Sequence, residues 1–110
     1  MYKIRVYKTS TGKQPFLEWQ EELDWQVVGR IQSRLARIIL GNFGDCKVIK
    51  DGDGISELRI DCGPGYRVYF GKHGIEIIVL LTGGDKGSQK RDINQAKRYW
   101  QEYKKGCSHE

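Results

Sequence analysis

The chain has few of the residues that build disulfide frameworks, metal centres or catalytic triads, with three cysteines and two histidines among 110 residues. Cys46, Cys62 and Cys107 are odd in number and lack the spacing of metal ligands, which is typical of a reduced, cytoplasmic protein. His73 falls in a predicted turn and His109 in the tail, so neither is placed beside a nucleophile. These shortages argue against a disulfide scaffold, a zinc site and a Ser-His-Asp enzyme.

Long apolar runs and metal motifs are also missing. No stretch approaches the roughly 20 apolar residues of a membrane span, and the N-terminal MYKIRVYKTS has no secretory core. No HExxH, Walker A or GxGxxG pattern occurs, and the DGDG at 51–54 lacks the ligand spacing of a calcium loop. Glu57 and Asp61 alternate with arginines instead of clustering as a two-metal nuclease requires. We therefore expect no metal, no cofactor and no membrane partner.

Positive charge is what the chain has in excess, and it is concentrated in one segment. The formal net charge is +5, and residues 86–105 alone carry seven Lys or Arg against two acidic residues. A concentrated basic segment attracts nucleic acid through steering and counterion release. A solvated basic helix face would give the same pattern, and charge alone leaves both interpretations open.

The periodicity of apolar residues predicts a single α+β domain over residues 1–110. A strand over Tyr2–Tyr7 precedes a short helix that begins at Pro15 and a second helix between a cap at Asp24 and a stop at Gly41. These two helices would form a hairpin. A last helix is expected to start near residue 89 or 92 and to end at Gly106.

Four strands are predicted between the helical hairpin and the last helix. The first is weak and the fourth is apolar on both faces, which is typical of an interior strand. Their predicted bounds are Cys46–Lys50, Ile55–Asp61, Tyr66–Gly71 and Ile75–Thr82. The order β-α-α-β-β-β-β-α predicts one small, largely antiparallel sheet with helices packed on it.

Alternation along two of these strands gathers the polar side chains of interest on one face. Arg59 lies on that face of one strand, and Arg67 and Tyr69 lie on the same face of the next. A three-residue loop at 63–65 would pair the strands so that Arg59 lies near Tyr69 and Arg67 beside Asp61. Lys86 and Lys90 then arrive from the basic loop that follows the last strand.

A folded cluster of cations with a tyrosine suits the handling of a polyanion, and RNA is the leading candidate. RNA carries its own nucleophile, because its 2′-hydroxyl can attack the adjacent phosphorus. Arginines suit the bidentate phosphate contact, and a lysine or tyrosine could move a proton. Arg59 and Arg67 could instead serve only as ion-pair partners of Glu57 and Asp61, and spacing does not decide between these roles.

A second basic stripe lies on the predicted second helix, on the side opposite its apolar residues. It consists of Arg30, Arg34 and Arg37. We expect a solvated surface here, with an RNA contact as the alternative.

The segments ISELRIDCGPGYRVYF and IIVLLTGGDKGSQKRDINQAKRYWQEY, with PFLEWQEEL and GNFGD upstream, resemble the RelE/ParE superfamily of type II toxin–antitoxin toxins. The branch they resemble is the HigB-like addiction module killer proteins. The resemblance implies the small RelE-like α+β fold. For many members it also implies ribosome-dependent cleavage of messenger RNA by 2′-hydroxyl attack, and neutralisation by a cognate antitoxin, often of the helix-turn-helix type. Operator DNA would be bound only through the antitoxin complex.

The resemblance also implies roles for individual residues. Arg59 and Arg67 match the phosphate-binding arginines of the ELR and GYR strands, and Lys86 matches the basic residue after the last strand. Tyr69 would stack on a base or donate a proton, so the expected catalytic set is Arg59, Arg67, Lys86 and Tyr69. The expected RNA-binding residues are Gln89, Lys90 and Arg91. The general base is left unassigned, and Gly87 stands where a second lysine or a serine is expected.

Two further interpretations stay open from sequence. A ParE-like poison would bind DNA gyrase and cleave nothing. An attenuated member would act only as an antitoxin-binding module and co-repressor. The arginine pair favours the nuclease over both.

Overall fold

The computed structural model describes residues 1–107, without the side chain of Cys107, and His109 lies outside this range. Five strands, three helices and a short 3-10 turn follow one another along the chain. Their bounds are β1 Lys3–Val6, α1 Pro15–Glu21, α2 Trp25–Ile39, β2 Cys46–Val48, β3 Ile55–Ile60, β4 Tyr66–His73, β5 Ile77–Asp85, the 3-10 turn Lys86–Ser88 and α3 Gln89–Cys107. Among these residues, no helix is both long and apolar enough to cross a membrane.

The strands form one five-stranded sheet in the order β1-β5-β4-β3-β2. Only β1 and β5 are parallel, and the other three pairs are antiparallel. The sheet, the helical hairpin α1–α2 and the C-terminal helix α3 confirm the predicted α+β class and the predicted order of elements. The interior place of β5, between β1 and β4, confirms what its apolar character on both faces predicted.

Local sequence signals account for the helical hairpin. Pro15 occupies the first turn of α1, where its missing N–H costs nothing. The Asp24 side chain accepts a hydrogen bond from the backbone N–H of Gln26 at 3.2 Å and caps α2. Helix α2 ends at Ile39, and Gly41 follows with a φ of 91°, as expected of a glycine C-terminal stop.

The sheet separates two apolar clusters. The face towards α1 and α2 buries residues of both helices with alternate residues of β3, β4 and β5, among them Ile31, Ile38, Leu58, Val68, Phe70 and Leu80. The opposite face packs on α3 and includes Tyr7, Ile55, Tyr69, Val79, Leu81, Ala96 and Trp100. The polar residues of interest share this second face, between the α3 cluster and solvent.

The predicted register of β3 and β4 is wrong by two residues. Arg59 pairs with Arg67, and Glu57, not Arg59, pairs with Tyr69. The connection spans residues 61–65, with Gly63 and Gly65 at φ of 54° and 84°, so it is longer than the predicted loop. Because side chains alternate with a period of two, the shift leaves the faces unchanged but brings the two arginines opposite each other.

Several predicted boundaries also move. Strand β4 continues to His73, so Ile75 lies in the following turn, where it is 94% exposed, instead of starting β5. Strand β2 ends at Val48, and β5 extends to Asp85. Helix α3 runs through Gly106, so the predicted stop there is wrong.

Candidate functional site

The core of the candidate site is a pair of arginines that share one buried carboxylate. Arg59 Nε donates to Glu57 Oε1 at 3.1 Å, and Arg67 Nε lies 3.3 Å from the same oxygen. The other oxygen, Oε2, accepts a hydrogen bond from Gln89 Nε2 at 2.8 Å. Glu57 itself is 0% exposed. Of the two predicted partners of the arginines, Glu57 is therefore confirmed, while Asp61 pairs with neither.

The arginines keep donors available beyond these ion pairs. Each uses its Nε edge for Glu57, and within residues 1–107 no group accepts a hydrogen bond from an Nη atom of either arginine. The side chain of Arg59 is 39% exposed and that of Arg67 is 14% exposed. A planar guanidinium with a free Nη edge can bind two oxygens of one phosphate.

A cavity of about 350 Å³ gathers three of the four predicted catalytic residues. Arg59, Arg67 and Lys86 all line it, together with the 61–65 connection. Lys86 reaches it because its backbone N–H donates to the Gly65 carbonyl at 3.0 Å, which holds the 3-10 turn against that connection. We refer to this space as the arginine cavity.

The wall of the arginine cavity also carries groups that can accept a proton. They are the carboxylates of the exposed residues Asp45 and Asp61, and the half-buried Tyr66 lines the same wall. Among the described residues, no group of three or more His, Cys, Asp or Glu side chains could hold a metal ion.

Tyr69 lies beneath the site rather than in it. It is 0% exposed and packs in the α3 cluster, so no face of its ring is available for stacking on a base. Its hydroxyl is buried near Glu57, but among the described residues it makes no hydrogen bond of normal geometry. Burial, followed by the nearby charges of Glu57 and Asp92, raises the pKa of this hydroxyl well above its usual range. The expected role in stacking is therefore excluded, and proton donation stays a prediction.

The start of α3 is fixed by a second polar cluster. The Asp85 carboxylate accepts from the Ser88 backbone N–H at 3.1 Å, and the Ser88 hydroxyl donates to Asp92. Asp92 is almost buried and packs directly over Gly84, the residue opposite Arg67 in the sheet. This cluster sets the position of Gln89, the first residue of α3. Gln89 is expected from the sequence to bind RNA, but here its side-chain amide donates a hydrogen bond to Glu57.

The other two predicted RNA-binding residues line a different surface. Lys90 and Arg91 border an open groove of about 820 Å³ along the first turns of α3. Arg98 lines it as well, together with the uncharged polar side chains of Ser88, Asn94 and Gln95, and no carboxylate of residues 1–107 does. We call this surface the α3 groove. Its composition suits contacts to a phosphate backbone.

Arg34 has a role that neither expectation for the α2 stripe included. Its guanidinium donates to the backbone carbonyl of Arg59 at 2.6 Å and to those of Phe43 and Asp45 at 3.3 Å each. Arg34 thus ties α2 to one wall of the arginine cavity. Arg30 and Arg37 are exposed, as expected of a solvated surface.

Comparison with known proteins finds a relative that is similar over most of the chain. An uncharacterized protein of Haemophilus influenzae is 46% identical over 88 residues, which cover 79% of this chain and 87% of that protein. The chain belongs to the same family as that protein. No family model matches the chain. Because the relative is uncharacterized, membership of this family does not indicate which reaction the arginine cavity supports.

Some residues of the site escaped prediction from sequence. Glu57 was recognised as an ion-pair partner, but nothing in the pattern showed that one carboxylate serves both arginines and Gln89. Arg98 could have been found, because it follows Arg91 by seven residues and so shares its helix face. Tyr66 lies on the core-facing side of β4 with Val68 and Phe70, so strand alternation does not predict a contact with the cavity. The contact arises because Tyr66 is the first residue of the strand, next to the 61–65 connection.

Proposed function

We propose that this protein is the toxin of a type II toxin–antitoxin system, of the RelE/ParE superfamily and its HigB-like branch, with a RelE-like fold. Its activity would be ribosome-dependent endonucleolytic cleavage of messenger RNA in the cytoplasm. The observation that carries the proposal is the pairing of Arg59 with Arg67, whose free Nη edges share one cavity with Lys86. The motif series and the α+β architecture support the family assignment.

The geometry supports a reaction in which RNA supplies the nucleophile. The guanidinium groups of Arg59 and Arg67 would bind the non-bridging oxygens of the scissile phosphate and stabilise the charge that develops there. The 2′-hydroxyl would attack phosphorus and expel the 5′-oxygen in line, leaving a 2′,3′-cyclic phosphate. Lys86, exposed at the rim, would stabilise or protonate the leaving oxygen. The proton acceptor would be the carboxylate of Asp45 or Asp61 on the wall.

The partners proposed for this protein follow from charge and from the resemblance. The α3 groove, with Lys90, Arg91 and Arg98, would contact the phosphate backbone of messenger or ribosomal RNA. A cognate antitoxin, of the helix-turn-helix type in this branch, would neutralise the toxin. Operator DNA would be reached only through that complex.

The test is induced expression of the wild-type protein and Arg67→Ala, with mapping of messenger-RNA ends across translated regions. We expect new ends within codons that depend on translation and that Arg67→Ala abolishes. Arg30→Ala is the matched control, because it removes an exposed arginine that does not line the cavity and should leave the ends unchanged.

Two outcomes would replace the proposal. Growth arrest without new messenger-RNA ends would indicate the gyrase-binding poison. A folded protein that causes no arrest would indicate the attenuated antitoxin-binding co-repressor.

A further inference from the structure

Glu57 is a buried carboxylate for which the proposed cleavage reaction has no direct use. It is fully excluded from solvent and does not line the arginine cavity. A buried carboxylate is costly unless every lone pair is compensated. Here Oε1 lies within reach of two guanidinium groups, and Oε2 accepts the Gln89 amide.

The arrangement of these contacts decides which donors remain for a ligand. Arg59 and Arg67 are directly opposite in an antiparallel pair, where Cβ atoms are only about 4.5–5.5 Å apart. Two cations at that separation repel each other and would splay into solvent. Glu57 lies two residues before Arg59 on the same face, and it contacts the Nε atoms of both arginines. This contact uses the Nε atoms and leaves the Nη atoms of both arginines without an acceptor among the described residues.

Gln89 extends the same arrangement to a third element. It begins α3 directly after the 3-10 turn that carries Lys86. The hydrogen bond that its Nε2 donates to Glu57 Oε2 therefore links that turn to the arginine pair, so one carboxylate connects β3, β4 and the start of α3.

We propose that Glu57 is the positioning residue of a phosphodiester-binding site, acting through Arg59, Arg67 and Gln89 without touching the ligand. The identity of the ligand as RNA rests on the proposed function, but the positioning itself does not. Gln89 would then support the site through its hydrogen bond to Glu57 instead of binding RNA.

The Glu57→Gln variant distinguishes two explanations, because they predict opposite changes in the affinity for RNA. If Glu57 were only a nearby negative charge, its neutralisation would strengthen binding of a polyanion. If it positions the arginines, the same change weakens binding, because a neutral amide with a single acceptor oxygen cannot attract both guanidinium groups at one atom and accept from Gln89 at the other. The probe is a short RNA with every 2′-hydroxyl methylated, which binds without being cleaved.

We expect the affinity of the full-length protein for this RNA to fall at least about tenfold in Glu57→Gln, which is about 1.4 kcal/mol. Glu57→Asp keeps the charge but withdraws it by one methylene, and should give an intermediate affinity. Glu76→Gln, an exposed residue at the β4–β5 turn, is the charge-matched control and should bind no more weakly than wild type. Equal or tighter binding by folded Glu57→Gln would overturn the proposal.

A second readout is independent of RNA. The Nε–H resonances of Arg59 and Arg67 should be protected from solvent exchange in the wild type, weakened in Glu57→Asp, and unprotected in Glu57→Gln. Unchanged protection in Glu57→Gln would refute the positioning role. If wild type fails to bind this RNA while protection depends on Glu57, the positioning role stands and free RNA is excluded as a ligand of the arginine cavity outside the ribosome.

Discussion

Replacing Gly84 by alanine tests whether the start of α3 is positioned by contact with the sheet. Gly84 lies within β5 opposite Arg67, and its backbone approaches Asp92 so closely that a Cβ would overlap Oδ2 of that side chain. The same Cβ would lie 2.7 Å from Asp92 Cγ and 2.8 Å from the Ser88 hydroxyl. Asp92 would have to move, and its hydrogen bond from Ser88 would be lost.

The expected cost follows from these two effects. Overpacking of a close contact costs about 1–3 kcal/mol, and losing a hydrogen bond to a charged acceptor costs about 1.5–3 kcal/mol. Because the Asp92 side chain can shift partly aside, we expect a total loss of about 2–4 kcal/mol in the free energy of unfolding. For a domain of this size that corresponds to a fall in Tm of roughly 10–20 °C, measured by thermal and denaturant unfolding.

Two variants control this experiment. Gly29→Ala lies on exposed α2 with nothing within 4 Å of the added Cβ, so it should stabilise the protein by about 0.5–1 kcal/mol. Asp92→Ala removes the obstructing carboxylate and leaves only the Ser88 hydroxyl to turn aside, so adding Gly84→Ala to it should cost less than about 1 kcal/mol further. Additive losses in the double variant, or a Gly84→Ala protein as stable as wild type, would refute the packing of Asp92 over Gly84.

Three further predictions concern individual side chains. Arg34→Lys should lower the free energy of unfolding by about 1.5–3 kcal/mol, because lysine cannot reach three carbonyl oxygens. The control Arg37→Lys should stay within about 0.5 kcal/mol of wild type. Similar losses in both variants would refute the anchoring role of Arg34. Burial and the hydrogen bond to Glu102 raise the pKa of Tyr7 from 10.0 to about 12. As pH rises, the unfolded chain releases the Tyr7 proton before the folded chain does, so the stability that Tyr7 provides is complete below about pH 10 and is lost as pH rises through about 12. Tyr7→Phe should reduce this loss of stability in unfolding curves measured at alkaline pH. An unchanged curve would contradict the assignment. Tyr69→Phe removes a buried hydroxyl without a hydrogen bond of normal geometry and should raise stability by about 1 kcal/mol, and retained toxicity in that variant would withdraw Tyr69 from the catalytic set.

The elements that local chemistry specifies were predictable from sequence. Pro15, the Asp24 cap and the positive φ of Gly41 give the bounds of the helical hairpin, and the alternation in β3 and β4 correctly places Arg59 and Arg67 on one face. These signals depend on residues close together in the chain.

What the sequence did not determine depends on contacts between distant segments. The register of β3 and β4 follows the conformation of the 61–65 connection, and glycines permit several loop lengths there. The burial of Tyr69 depends on α3 covering that face of the sheet. The role of Glu57 requires β3, β4 and α3 to be assembled, so no local pattern contains it.

The most direct test of the central claim uses purified protein and ribosomes programmed with a defined messenger RNA. We predict cleavage within a codon that depends on the ribosome and leaves a 2′,3′-cyclic phosphate, with no cleavage by Arg67→Ala. A single 2′-deoxy substitution at the cut position should block the reaction, because it removes the nucleophile. Cleavage that persists at the deoxy position, or the absence of cleavage by folded wild-type protein on any codon, would contradict the central claim.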